Sequence, residues 1–176
     1  MEPSLAEAHL RLARMYAPEQ DTRLQAAQHL EDFLRYVDRS TRPADEVAGA
    51  YSTLGFIYAN ENVGREKDAL LEYEEGLKYY PENAGLLNNT AWLYATAKDL
   101  QLRNLQKALE YGLKAVQKSE GKISAYVDTL AEAYYVNGQF QKAVETEKKA
   151  LAISPESDSM KKAMQKYELA AKTGKP

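Results

Sequence analysis

The sequence contains no cysteine and only two histidines, His9 and His29, among its 176 residues. The absence of thiols excludes disulfide bonds, thiolate nucleophiles and cysteine-ligated metal centres. The histidines fall on different predicted helices with no carboxylate cluster at ligand spacing, so the sequence predicts no metal site and no cofactor. The Gly-x-Ser-x-Gly elbow and the glycine-rich phosphate loop are also missing. We therefore expect a protein that is not an enzyme.

No apolar run approaches the roughly 18 residues that a membrane-spanning helix needs. The first four residues, Met-Glu-Pro-Ser, include one acidic residue and lack the basic and apolar regions of a secretory signal. The net charge is −3, so no basic excess points to nucleic acid or to an anionic membrane. We expect a soluble protein without membrane insertion, either cytoplasmic or periplasmic, or a soluble fragment of a longer chain. The sequence does not decide the compartment.

One pattern of residue types recurs four times along the chain. It begins with an aromatic or aliphatic residue, followed by a leucine (a threonine in the third copy), a small residue and a tyrosine. The clearest copies are Tyr51, Leu54, Gly55 and Tyr58; Leu87, Thr90, Ala91 and Tyr94; and Val127, Leu130, Ala131 and Tyr134. A weaker first copy has His9, Leu12, Ala13 and Tyr16. Apolar residues at three-and-four spacing within each copy predict amphipathic helices.

This pattern resembles the tetratricopeptide repeat, a helix pair that recurs about every 34 residues. The resemblance implies an all-α solenoid of antiparallel helix pairs, wound as a right-handed superhelix. The repeats would span about residues 5–38, 44–81, 83–120 and 122–155. The third copy, with its long turn, is similar to a variant common in bacterial repeat proteins.

We predict a single domain over residues 1–176 with about nine helices. The predicted helices cover 4–16, 22–38, 44–60, 66–79, 83–97, 104–118, 122–136, 140–153 and 157–172. Residues beyond the usual repeat length are predicted to form loops at 39–45, 60–66 and 97–104. The last helix carries one apolar stripe and one charged face, as expected of a helix that caps the final repeat.

The resemblance implies a non-catalytic protein-interaction module that binds a peptide or protein segment on the concave face formed by the first helix of each pair. The residues predicted on that face are Ser52, Phe56, Asn88, Asn89, Trp92, Asp128, Glu132 and Tyr135, together with Glu7, Leu10 and Arg14 of the first copy. Phe56 and Trp92 each follow the small residue of their copy, so they occupy equivalent positions. Either they line the groove as hydrophobic anchors, or they pack against a neighbouring first helix.

Two other functions are compatible with the pattern. In the first, the chain is an accessory domain that recruits substrate for a larger enzyme or for a secretion or assembly complex. Alternatively, an exposed terminal repeat would associate weakly with a second copy. The 13 tyrosines do not favour nucleic-acid binding, because many of them occupy the packing positions of the repeat. The sequence does not identify the partner.

Overall fold

The computed structural model of the protein describes residues 3–60 and 63–175. Within these ranges the chain forms nine α-helices and no β-strand. The helices are α1 (Pro3–Tyr16), α2 (Arg23–Tyr36), α3 (Ala44–Ala59), α4 (Glu66–Tyr79), α5 (Ala84–Thr96), α6 (Leu105–Lys118), α7 (Ser124–Val136), α8 (Phe140–Ile153) and α9 (Asp158–Thr173). The predicted all-α class is confirmed. Of the predicted loop 60–66, residues 61 and 62 lie outside the described residues.

Backbone contacts divide the chain into two compact units, an N-terminal unit (Met1–Leu86) and a C-terminal unit (Leu87–Pro176). Helix α5 begins in the first unit and continues into the second. The single domain expected from the sequence stays a prediction. None of the described helices is both long enough and apolar enough to cross a bilayer.

In the N-terminal unit, α1 packs against α2, α3 packs against α4, and α2 joins the two pairs by packing against α3. The side chains of Phe33, Leu54 and Tyr58 are almost completely buried in the resulting core. At Gly55, an added Cβ atom would lie 2.3 Å from Cε1 of Tyr73 on α4. A small residue is required there because the backbone of α3 and the ring of Tyr73 are in direct contact.

In the C-terminal unit, α7 packs against α6 and α8, and α9 packs against α8 and, to a smaller extent, α7. Ala131, Ala143, Val144 and Tyr167 form one buried cluster, which joins α7, α8 and α9. The second helix of the third pair, α6, begins at Leu105 and is capped by the preceding Asn104, whose side chain accepts a hydrogen bond from the Lys107 N–H at 3.0 Å. Ala91 and Ala131, the small residues of the third and fourth copies of the repeat pattern, are completely buried.

The last helix, α9, extends from Asp158 to Thr173, within one residue of the predicted cap at both ends. Ser157 precedes it and caps its N-terminus, and Gly174 ends it with a left-handed φ of 69°. Met160, Tyr167 and Ala170 are buried against the preceding pair, whereas Leu169 is exposed. This one-sided burial is expected of a terminal helix with one face on the protein and one face in water.

Candidate functional site

A groove lies between the first helices of the N-terminal unit, α1 and α3. Its floor is apolar, since Leu10, Ala13 and Ala50 all line it and are buried. Gly49 and Thr53 of α3 are exposed along one wall. A Cβ atom added at Gly49 would meet no atom within 4 Å, so this glycine is not required by packing. The groove is thus an open, apolar channel between two first helices.

Three charged residues line the groove, Arg14 of α1 and Asp45 and Glu46 of α3. Glu46 belongs to a set of ion pairs that also contains Glu7 and Arg42. Nη1 of Arg42 lies 2.9 Å from Oε2 of Glu7 and 2.9 Å from Oε2 of Glu46. Nη2 of Arg14 lies 3.2 Å from Oε1 of Glu46. Hydrogen bonds from Arg11 and Arg42 hold the pKa of Glu7 below its ordinary value. Arg14 and Glu46 neutralise one another and Asp45 adds one negative charge, so the groove combines an apolar floor with a weakly acidic lining.

Phe56 is 58% exposed and lies three residues beyond Thr53 on α3. Residues three apart share a helix face, so Phe56 is on the same side of α3 as Thr53, just beyond the residues that line the groove. Ser52 is partly buried on the same helix. Of the two interpretations left open by the sequence, the exposure of Phe56 favours a surface position over core packing.

The predicted residues on α5 differ in their exposure. Trp92 is 45% exposed although the flanking Ala91 and Leu93 are buried. Asn89 is partly buried, and its Oδ1 accepts a hydrogen bond from Nδ2 of Asn88 at 3.2 Å. Asn88 itself is only 9% exposed, because it lies three residues before Ala91 and shares its packing face. Trp92 is therefore the accessible member of this group.

On α7, the residues Glu132 and Tyr135 face α9. Oε2 of Glu132 accepts hydrogen bonds from Lys166 Nζ at 2.6 Å and from the Tyr167 hydroxyl at 2.7 Å. The ring of Tyr135 is 5.1 Å from that of Tyr167, centroid to centroid. The terminal helix thus occupies the part of α7 that the sequence assigns to a partner. Spacing alone does not distinguish a residue that points into a groove from one that contacts the next helix along the array.

Asp128 lies beside a second carboxyl group, that of the completely buried Glu147 on α8. No described donor provides a hydrogen bond to either carboxyl oxygen of Glu147. Burial, together with the negative charges of Asp128 and Glu132, raises the pKa of Glu147 to about 8. Burial also raises the pKa of Asp128, although its hydrogen bond with Glu147 opposes this. The raised pKa favours the protonated form of Glu147, whose O–H is then a donor available to Asp128.

A carboxyl group with a strongly raised pKa is a common sign of acid–base catalysis. Here the group is in the interior between α7 and α8, and its relative exposure is 0%. A substrate would not reach it. The Glu147–Asp128 pair is thus a buried polar contact that joins two helices, and its charge state affects stability.

The two histidines, predicted apart, come together in the N-terminal unit. Nδ1 of His9 on α1 is 3.1 Å from Nδ1 of His29 on α2, and 3.8 Å from Oδ2 of Asp32. The two histidines are 20 residues apart along the chain, and the α1–α2 hairpin brings them into contact, so the sequence prediction of no metal ligand cluster did not anticipate this pair. The one feature of the sequence that indicates this cluster is the spacing of His29 and Asp32, which are three residues apart and therefore share a helix face.

No family model matches the chain. The chain is 27% identical over 134 residues to sperm-associated antigen 1 of Mus musculus, a tetratricopeptide-containing protein. The match covers 74% of this chain and spans only 15% of that relative's length.

The fold is similar to solved structures of MamA, a tetratricopeptide-like protein. MamA 41-end from Desulfovibrio magneticus RS-1 has a TM-score of 0.74 at 15% identity, with 97% of this chain and 87% of that chain covered. The AMB-1 form of MamA has a TM-score of 0.64 at 17% identity, with 97% and 82% covered. The tetratricopeptide-type fold that the sequence predicts is thereby confirmed.

Proposed function

We propose that this chain, which has a tetratricopeptide-type fold, is a non-catalytic module that binds an apolar segment of another protein between its first helices. The observation that carries the proposal is the groove between α1 and α3, with its buried floor of Leu10, Ala13 and Ala50. Peptide-binding grooves combine such apolar contact with a few polar groups that fix orientation.

The groove favours a partner with one or more bulky apolar side chains. Gly49 contributes no side chain to the α3 wall of the groove. The exposed Phe56 extends the apolar surface about one helical turn beyond Thr53. Arg14 and Glu46 line the groove and are already paired with each other. A charged partner segment would compete with this pair or meet the carboxylate of Asp45, whereas an apolar segment would only displace water from the floor.

Trp92 is a second proposed contact, on the C-terminal unit. An exposed tryptophan is an effective anchor because it buries a large apolar area on binding. Asn89 and Asp128 stay proposed hydrogen-bonding groups for the partner's backbone. Asn88, Glu132 and Tyr135 contribute less than the sequence indicates, since they are largely buried or engaged with neighbouring helices.

Two variants at Gly49 test the groove without disturbing the core. Gly49→Phe would fill the channel, while Gly49→Ala adds a single methyl group to open space. Partners would be captured with the intact chain and identified by mass spectrometry, and each would be retested with both variants. A true groove partner is retained by Gly49→Ala and lost by Gly49→Phe, with unchanged helical circular dichroism. Equal retention by both variants would exclude this groove.

Trp92→Ala tests the second contact with the same partner. Loss of an anchor worth about 2 kcal/mol would weaken binding roughly 30-fold. Because Trp92 is the only tryptophan, its fluorescence also reports on the free protein. Acrylamide should quench it strongly, and the bound partner should protect it. A Trp92→Ala variant that binds like the wild type would restrict the site to the N-terminal unit.

A further inference from the structure

Three potential metal ligands converge on the first helix pair. His9 comes from α1, and His29 and Asp32 come from consecutive turns of α2. One ligand atom from each, a ring nitrogen or a carboxylate oxygen, lies within 4.8 Å of the other two. The side chains of His9 and Asp32 are 18% and 23% exposed, so an ion from solvent would reach them.

Neighbouring aromatic rings hold the two imidazoles in position. The ring of Tyr36 stacks on His9 with centroids 6.0 Å apart, and the ring of Tyr16 stacks on His29 at 5.7 Å. Oδ1 of Asp32 accepts a hydrogen bond from Arg35, which leaves Oδ2 directed toward His9. The ligand atoms are therefore oriented before any ion binds, which lowers the entropy lost on binding.

The distance between the ring nitrogens has two chemical explanations. In a metal-free pair, one Nδ1 must carry a proton and the other must accept it, which requires different tautomers of His9 and His29. With a metal ion, both nitrogens use their lone pairs at once. Two nitrogens bound tetrahedrally to Zn²⁺ at about 2.0–2.1 Å lie about 3.3 Å apart, close to the observed 3.1 Å.

We propose that His9, His29 and Asp32 form a binding site for a transition-metal ion, with Zn²⁺ as the favoured occupant. Two imidazole nitrogens and one carboxylate oxygen form a set of three protein ligands, and water would complete a tetrahedral coordination. Imidazole ligands select Zn²⁺ over Mg²⁺ and Ca²⁺, which prefer sites made only of oxygen.

The ion would join α1 to α2. Its ligands come from both helices, so the site is complete only while the hairpin is folded. An ion that binds the folded chain and not the unfolded chain stabilises the folded state in proportion to its affinity and concentration. Such a link would have its largest effect in the N-terminal pair, because its helices carry the weakest copy of the repeat pattern.

The first experiment measures zinc binding by the full chain after treatment with a chelator. Isothermal titration with ZnCl₂ at neutral pH should give one ion per chain, and titration with MgCl₂ should give no binding. His29→Gln should weaken zinc binding by more than the roughly 10- to 100-fold that loss of an outer-shell partner costs. The matched control Gln28→Ala, on the exposed side of the same helix, should bind zinc like the wild type. Equal zinc affinity in the wild type and a His9→Gln/His29→Gln double variant would overturn the proposal.

A second measurement identifies the coordinating atoms independently of affinity. The chain has only two histidines, so long-range proton–nitrogen NMR spectra resolve both imidazoles without ambiguity. Zinc should shift the Nδ1 resonances of both rings and replace their two different tautomers with one. Circular dichroism of the His29→Gln variant checks that the hairpin still folds. Zinc-induced shifts confined to Nε2, or absent from either ring, would contradict the assigned geometry.

Discussion

Replacing the buried Glu147 with glutamine should make the protein less sensitive to alkaline pH. Burial beside Asp128 raises the pKa of Glu147 from its ordinary value of 4.5 to about 8. The folded chain therefore binds a proton that the unfolded chain releases at neutral pH. Glutamine has nearly the same shape as the protonated carboxyl, carries no charge at any pH, and retains an N–H donor for Asp128.

The sign of the effect follows from proton linkage. Between about pH 4.5 and pH 8 the folded state holds more protons than the unfolded state, so the free energy of unfolding falls as the pH rises. Each pKa unit corresponds to about 1.4 kcal/mol. The free energy of unfolding therefore falls by at most about 5 kcal/mol between pH 4.5 and pH 8. Glu147→Gln should therefore match the wild type near pH 4.5 and exceed its stability by a few kcal/mol in the alkaline range.

Urea denaturation at a series of pH values is the appropriate assay. Trp92 lies in the C-terminal unit with Glu147, so its fluorescence follows the relevant transition, and circular dichroism follows the whole chain. The difference between wild type and Glu147→Gln at each pH isolates the one carboxyl from all other titrating groups. Glu145→Gln, an exposed position on the same helix, is the matched control. If the difference in free energy of unfolding between the wild type and Glu147→Gln stays constant from acid to alkaline pH, the reasoning is refuted.

Two further substitutions test the packing of each unit. Gly55→Ala would place a methyl group 2.3 Å from the ring of Tyr73. This overpacking should lower the free energy of unfolding by about 1–3 kcal/mol. An unchanged urea midpoint would mean that α3 and α4 are not in this close contact. Tyr167→Phe removes one of the two donors to the carboxylate of Glu132, which is only 8% exposed, and should cost about 1–3 kcal/mol in urea denaturation. Full stability of Tyr167→Phe would indicate that Lys166 alone satisfies this carboxylate.

Helix positions and much of the core could be predicted from the sequence because the signals are local. The small residues Gly55, Ala91 and Ala131 recur in one frame, and each is buried in the structure. The predicted cap over 157–172 differs from α9 by one residue at each end, since Ser157 and Gly174 are strong boundary signals. These features depend on residues within a few turns of one another, where the helical period determines which side chains share a face.

The proposed binding surface is less predictable from the sequence, because it depends on which helix packs against which face. Tyr135 and Glu132 occupy positions on α7 that look equivalent to groove residues, yet α9 contacts both. His9 and His29 are 20 residues apart, and their contact depends on the hairpin between them. The raised pKa of Glu147 likewise has no local signal, since the same residue type at the exposed position Glu145 lies only two residues away.

The two glycines of α3 show most clearly what the sequence leaves undecided. Glycine inside a helix is destabilising by about 0.5–1 kcal/mol relative to alanine, so each requires a compensating reason. At Gly55 the reason is packing, because Tyr73 occupies the space that a side chain would need. At Gly49 packing supplies no reason, since a side chain there would enter only the groove between α1 and α3. The fold therefore gives no reason for Gly49, whereas the proposed binding of a partner segment in this groove would give one.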